Sequence, residues 1–339
     1  VMKKFLSILL ALCMCTVLFV GCSGNSSESK KNTSDSSAEP IKLAVYPLPS
    51  PYFEYAMESL ELFTKNNANV ELVEFAQYSD VIQALDSGSV DASIMGITEA
   101  VTPIANGLDL DIVLMTDYSA GMDGIVAAPG INSVKDLKGK TIATNIGTMN
   151  HMLLLTALEQ AGLSESDVNI TNMSEGDATA ALVGGSIDAA SIFDPQMSKA
   201  AKESGGKVIF SSKDIPGELS DVLIIKDSIV KDRADEVQGI VDAWYQVQDK
   251  YNKNSDSVVD LISPKAELTN DEFYSLLDGI DIATKDYNKE VFANNGEKMT
   301  SLVTKVANFL KDADCIESVP SEDKIKAAIV STFVEAESK

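Results

Sequence analysis

The sequence predicts an α/β fold of two similarly built lobes with a helical C-terminal cap. Three observations carry this prediction. Strand-length apolar runs alternate with amphipathic stretches over the first two thirds of the chain. A nine-residue pattern occurs twice, 97 positions apart. Beyond residue 226 the apolar residues fall almost wholly at helical spacing.

The apolar runs Lys42–Tyr46, Val70–Phe75, Ala92–Gly96 and Ile112–Thr116 read as the strands of a first lobe, with helix patterns between them. Thr141–Thr144, Asn169–Met173, Ala189–Phe193 and Lys207–Phe210 read as strands of a second, with helices over Met149–Ala161 and Ala178–Val183. The repeated pattern is Ala84-Leu85-Asp86-Ser87-Gly88-Ser89-Val90-Asp91-Ala92 and Ala181-Leu182-Val183-Gly184-Gly185-Ser186-Ile187-Asp188-Ala189. Each copy is a helix end, a glycine suited to the left-handed residue after a helix, and an aspartate that launches a buried strand. Recurrence at corresponding places argues for two related lobes. Gly124–Pro129 and Val222–Lys226 are short and apolar, as expected of hinge strands that cross between the lobes. Asp235–Asn252, Asp271–Gly279, Lys289–Lys311 and Glu322–Ala336 carry helical spacing and form the expected cap on the first lobe. The predicted organisation is therefore lobe one over 41–125 plus 220–339 and lobe two over 126–219.

Ahead of these lies an export pattern. Lys3 and Lys4 precede an apolar run from Phe5 to Val20, shorter than the roughly 20 residues a spanning helix requires. Phe19-Val20-Gly21-Cys22 resembles the bacterial lipoprotein cleavage box, with phenylalanine where leucine is usual. The expectation is a signal peptide over 1–21, lipidation at Cys22, and a disordered tether over 22–40, whose Ser, Asn, Lys, Glu and Thr have little apolar surface to bury. Of the four cysteines, Cys13 and Cys15 fall in the signal and Cys22 at the lipidation site. Cys315 remains as the mature thiol, which predicts a fold without internal disulfides, resting on a core that 45% apolar composition can supply.

The formal charge is −24. So acidic a surface repels nucleic acid and anionic headgroups, which excludes both as expected partners and leaves the lipid as the membrane attachment. No His, Cys and carboxylate spacing supplies a metal site, and the single histidine, His151, is given no catalytic role.

With the motifs in order, the chain resembles the solute-binding proteins of nitrate, sulfonate and taurine importers, a family that also includes binders of thiamine-precursor pyrimidines. The residues that carry the resemblance are Ala84–Gly96, Asn106–Leu110, Asp136–Ala143, Gly147–Leu155 with Ala161-Gly162-Leu163, and Asp177–Pro195. The resemblance implies a type II periplasmic-binding-protein fold, a ligand held between the lobes, closure by hinge motion, and delivery to an ABC permease and its ATPase. The family's fold also hosts a few enzymes, but the chain shows no nucleophile–base set and no cysteine-rich motif, so neither an enzyme nor a cofactor is expected; the export pattern and Cys22 place the protein on the extracytoplasmic face of the membrane.

Candidate ligand-binding residues follow from strand ends and helix starts. Gly147, Thr148, Met149 and Asn150 lie between a strand and a helix, where free N–H groups and the helix dipole suit a polar or anionic group; Thr148 also fits a plain helix cap. Asp194 ends a strand at the carboxyl edge, where open α/β sheets place ligands, and fits a helix cap equally well. From lobe one come Leu48, Ser50 and Tyr52, then Gly96, Ile97 and Thr98, then Tyr118 and Ser119. Asp123, at the crossover, fits a ligand ammonium or a hydrated hinge. Arg233 is the one arginine and stands remote from every predicted strand end, so no bidentate clamp is available for a sulfonate. The function expected is capture of a small polar molecule, such as a sulfonate, taurine, nitrate or a pyrimidine. A sensory lipoprotein and an enzyme on the same fold are the alternatives.

Overall fold

The computed structural model describes residues 39–76 and 78–335. The expected signal peptide, the lipidation site Cys22 and nearly all of the tether lie outside the described residues. Eleven strands appear among those described: β1 Ile41–Val45, β2 Val70–Glu74, β3 Ala92–Gly96, β4 Leu110–Ser119, β5 Asp123–Ala127, β6 Thr141–Thr144, β7 Asn169–Asn172, β8 Ala189–Phe193, β9 Lys207–Ser211, β10 Ser220–Lys226 and β11 Ile280–Ile282. They form two sheets, ordered β11-β4-β10-β3-β1-β2 and β7-β6-β8-β5-β9.

Each sheet has the same kernel. β1 runs parallel to β2 and β3, and β6 runs parallel to β7 and β8. The repeated nine-residue pattern leads into the third strand of each kernel. Gly88 and Gly185 hold φ of 78° and 71°, open to glycine without strain. Asp91 accepts the backbone N–H of Lys42 at 3.1 Å, and Asp188 accepts that of Thr141 at 2.9 Å. Each aspartate thus bonds at the entrance of the neighbouring parallel strand and fixes its register.

The two runs expected as hinge strands are members of the sheets. β5 lies antiparallel between β8 and β9, and β10 lies antiparallel between β3 and β4. Both are buried on two faces, which is why they read as unbroken apolar runs. The crossings are Ala120–Met122 outward and Ser212–Leu219 back, so the boundary expected between 125 and 126 falls inside β5. β4 is ten residues long, twice the predicted run, and it continues through Asp117 and Tyr118 to Ser119.

The C-terminal third packs mainly on the first sheet. Helix Ala234–Lys253 brings Trp244 and Tyr251 edge-on to Phe53 of helix Pro49–Ser59, and Phe273 closes the cluster at 5.9 Å. The helix expected over 289–311 is divided: helix Lys285–Val291 ends, and Asn294, Asn295 and Gly296 turn left-handed within the following span Ala293–Asp312; asparagine and glycine are the residues that tolerate this conformation. The last expected helix is also interrupted. Ile112 donates to the carbonyl of Ala328 and accepts from Val330, so the chain straightens to cover an otherwise open flank of β4.

Candidate functional site

The carboxyl ends of β1, β3, β4, β6 and β8 meet the amino ends of the antiparallel strands β5 and β10 around a cleft of about 520 Å³. Tyr46, Pro47 and Leu48 follow β1; Gly96 ends β3; Asp117 and Ser119 end β4; Asp221 begins β10. The opposite wall is Asp123, Asn145, Thr148, Met149, Asn150, Glu175 and Phe193. Glu99, from the first turn of helix Ile97–Ala105, completes the first wall. The walls approach closely at Gly96, where a Cβ would lie 3.1 Å from Met149 Cε and 2.5 Å from a Glu99 oxygen. The missing side chain at Gly96 leaves room for the Glu99 carboxylate and the Met149 methyl, which would otherwise have to shift.

Of the predicted ligand-binding residues, Leu48, Gly96, Ser119, Thr148, Met149 and Asn150 line this cleft. The other seven do not. Ser50 is fully buried and donates to Asp117 from behind. Tyr52 stacks on Tyr55 and packs at a tilt against Phe273 in the core. Ile97 is core, and Thr98 is buried with its hydroxyl on Glu99. Tyr118 points away from the cleft onto Tyr287, because side chains alternate along β4. Gly147 holds φ of 88°, and a Cβ there would meet Cys315 Sγ at 2.7 Å. Asp194 caps helix Gln196–Ser204 by accepting the N–H of Ser198 at 2.8 Å, the alternative its sequence position allowed.

Thr148 begins helix Met149–Gln160 but accepts no cap bond. Its hydroxyl donates to the carbonyl of Asn145 at 2.7 Å. Asn150, in the first turn, donates to Asp123 Oδ1 at 2.8 Å. The positive end of this helix therefore faces a protein carboxylate rather than open space alone. His151 turns from the cleft to Phe309, its Nδ1 accepting from Gly147, and burial lowers its pKa to about 4.

The cleft is acidic. Glu99, Asp117, Asp123, Glu175 and Asp221 line it, and no Lys, Arg or His does so among the described residues. Asp117, Asp123 and Asp221 are all at least nine-tenths buried. Burial pushes Asp123 up to about 6, against the hydrogen bond from Asn150 that favours its ionised form. Burial and the nearby Asp117 hold Asp221 well above the usual carboxylate range. Behind Tyr46, Glu54 is fully buried with neither oxygen bonded, and burial raises its pKa well above the ordinary value. Arg233 bonds Glu236 and the Glu39 carbonyl, outside the cleft. Asp117 and Asp221 directly adjoin the predicted strands Ile112–Thr116 and Val222–Lys226, and a carboxylate abutting an apolar strand run is the signal that marks them. Glu99 and Glu175 stand in the first turns of helices, where acidic residues are common for helix-dipole reasons alone and carry no such signal.

Comparison with known proteins places this geometry. A putative aliphatic sulfonates-binding protein of Escherichia coli is 34% identical over 150 residues, 44% of this chain and 47% of that protein. The chain thus spans about half the length of that relative. A putative aliphatic sulfonates-binding protein of Bacillus subtilis is 26% identical over 332 residues, 96% of this chain and 87% of that one. The crystal structure of the periplasmic aliphatic sulphonate binding protein SsuA from Escherichia coli superposes with a TM-score of 0.70 at 22% identity, covering 85% of this chain and 92% of that one. The fold is therefore the two-lobed α/β fold of periplasmic binding proteins. The sequence model of the family described as NMT1/THI5 like matches residues 52–252, more than half of the chain, and the chain belongs to that family.

Proposed function

We propose that this chain is an extracytoplasmic solute-binding protein that captures a small polar molecule between its lobes and delivers it to an ABC permease and its ATPase. The observation that carries the reading is the cleft, which stands where the facing strand ends of two sheets meet while only two short crossings join the sheets. Ligands of open α/β sheets bind at such carboxyl edges, and two crossings permit hinge closure. The names of the relatives, binding proteins for sulfonates, support the same reading.

Binding rather than bond-making is the activity. The relatives carry the names of binding proteins, and the hydroxyls of Ser50 and Ser119 donate to Asp117 and Ser212. Attachment to the outer face of the membrane through a lipid on Cys22 completes the proposal. Small-angle scattering tests it. Addition of a total small-molecule extract from cells is expected to lower the radius of gyration, and an unchanged curve, with no small molecule found by mass spectrometry in the purified protein, would overturn it.

A further inference from the structure

We propose that the captured solute is an organic cation, bearing ammonium or guanidinium groups on a compact apolar body. This rests on the solute-binding reading above and names the chemistry of the same cleft.

Three observations point there. The five acidic side chains of the cleft meet no basic side chain on its walls among the described residues. Two of the three deepest already have neutral donors: Asp117 receives Ser50 and Thr116, and Asp123 receives Asn150. Asp221 has none. It is 7% exposed, lines the cleft, and accepts no hydrogen bond or ion pair among the described residues. A buried acceptor of this kind is left for a donor from outside the chain.

Position along the strands gives the second argument. Asp221 of β10 stands opposite Asp117 of β4 on one side and opposite Gly96 of β3 on the other. Like charges directly opposed across a sheet are unfavourable, and Gly96 offers no side chain to screen them. A cation between the two walls satisfies both carboxylates at once. An anion would meet their repulsion with no guanidinium or ammonium to offset it.

The third argument separates an organic cation from a metal ion. Calcium takes six to eight oxygens drawn close together, and no group of metal-holding side chains converges among the described residues. Between the carboxylates the walls are apolar, formed by Leu48, Met122, Met149, Phe193 and Leu219. Such a surface receives hydrocarbon, and an aromatic ring among its residues, Phe193, suits a cationic group.

The test is calorimetric titration of the full chain in detergent with 1,4-diaminobutane, butylguanidinium, ethanesulfonate and calcium chloride. At least one of the two organic cations is expected to bind saturably at one site. Its affinity should fall at least tenfold in Asp221→Asn and again in Glu175→Gln, a half-exposed position that leaves the buried core untouched. Saturable binding of ethanesulfonate, undiminished in Asp221→Asn, would overturn the cation assignment and leave solute capture standing. Binding of calcium with neither organic cation would overturn it in favour of a metal. No binding of any of the four, with no compaction by cell extract, would overturn both readings.

Discussion

Asp117 and Asp221 face each other on neighbouring strands. Burial and the neighbouring Asp117 both disfavour the ionised form of Asp221. Asp221→Asn, a neutral side chain of the same shape, is therefore expected to keep the thermal midpoint of the ligand-free chain at or above the parent's while weakening solute binding, the trade expected of a site kept for function; a lower midpoint would mean that this carboxyl makes a stabilising bond. Asp123 adds a pH dependence. Its pKa of about 6 in the folded chain lies above its ordinary 3.8, so between these values the folded state keeps a proton that the unfolded state has lost. Stability then falls as pH rises through about 4 to 6, by on the order of 3 kcal/mol for this one group. The groups around it are Ser119, Asn150, Asp194 and Glu175, with Glu99, Asp117 and Asp221 across the cleft, none of them basic. Urea unfolding of Asp123→Asn should match the parent near pH 4 and exceed it at pH 7, and parallel curves for the two would refute the assignment.

At the level of elements, the repeated aspartates do for the sheets what caps do for helices. Asp91 and Asp188 each hold the first free N–H of the adjacent parallel strand, at Lys42 and Thr141. Substitution by alanine leaves that N–H without its partner, at a cost of about 1–3 kcal/mol. Asp188→Ala and Asp91→Ala should each lower the urea midpoint by a corresponding amount, with the bound-state affinity changed little; midpoints equal to the parent's would show the repeat to be incidental. The repeat was legible from residues alone because its parts are local, a glycine after a helix and an aspartate before a strand. The true length of β4 was not, because Asp117, Tyr118 and Ser119 break the apolar run although they continue the ladder. Burial of the carboxylates inside a strand end depends on neighbours from β10 and helix Pro49–Ser59, remote in sequence.

For the whole molecule, two crossings of three and eight residues join the sheets, and contacts such as Gly96 with Met149 and Gly147 with Cys315 tie the second lobe to the first and to the cap. The membrane attachment belongs to this scale as well. Cys22→Ser is expected to release the protein from the membrane fraction or leave it unprocessed; a mature, unlipidated product that still partitions with membranes would exclude the anchor at Cys22.

The sequence by itself determined the α/β class, the paired kernels and the helical cap, since these follow from periodicity and from turn residues acting over a few positions. It also brought out the helix start at Thr148, Met149 and Asn150 and the absence of an arginine clamp. Only the tertiary structure decided that β5 and β10 are sheet members, that Tyr52, Tyr118 and Asp194 serve packing and capping, and that five carboxylates from five elements converge on one cleft. Side-chain direction at a strand end depends on register with partners far along the chain, and a charge carries functional meaning only once its neighbours are in place.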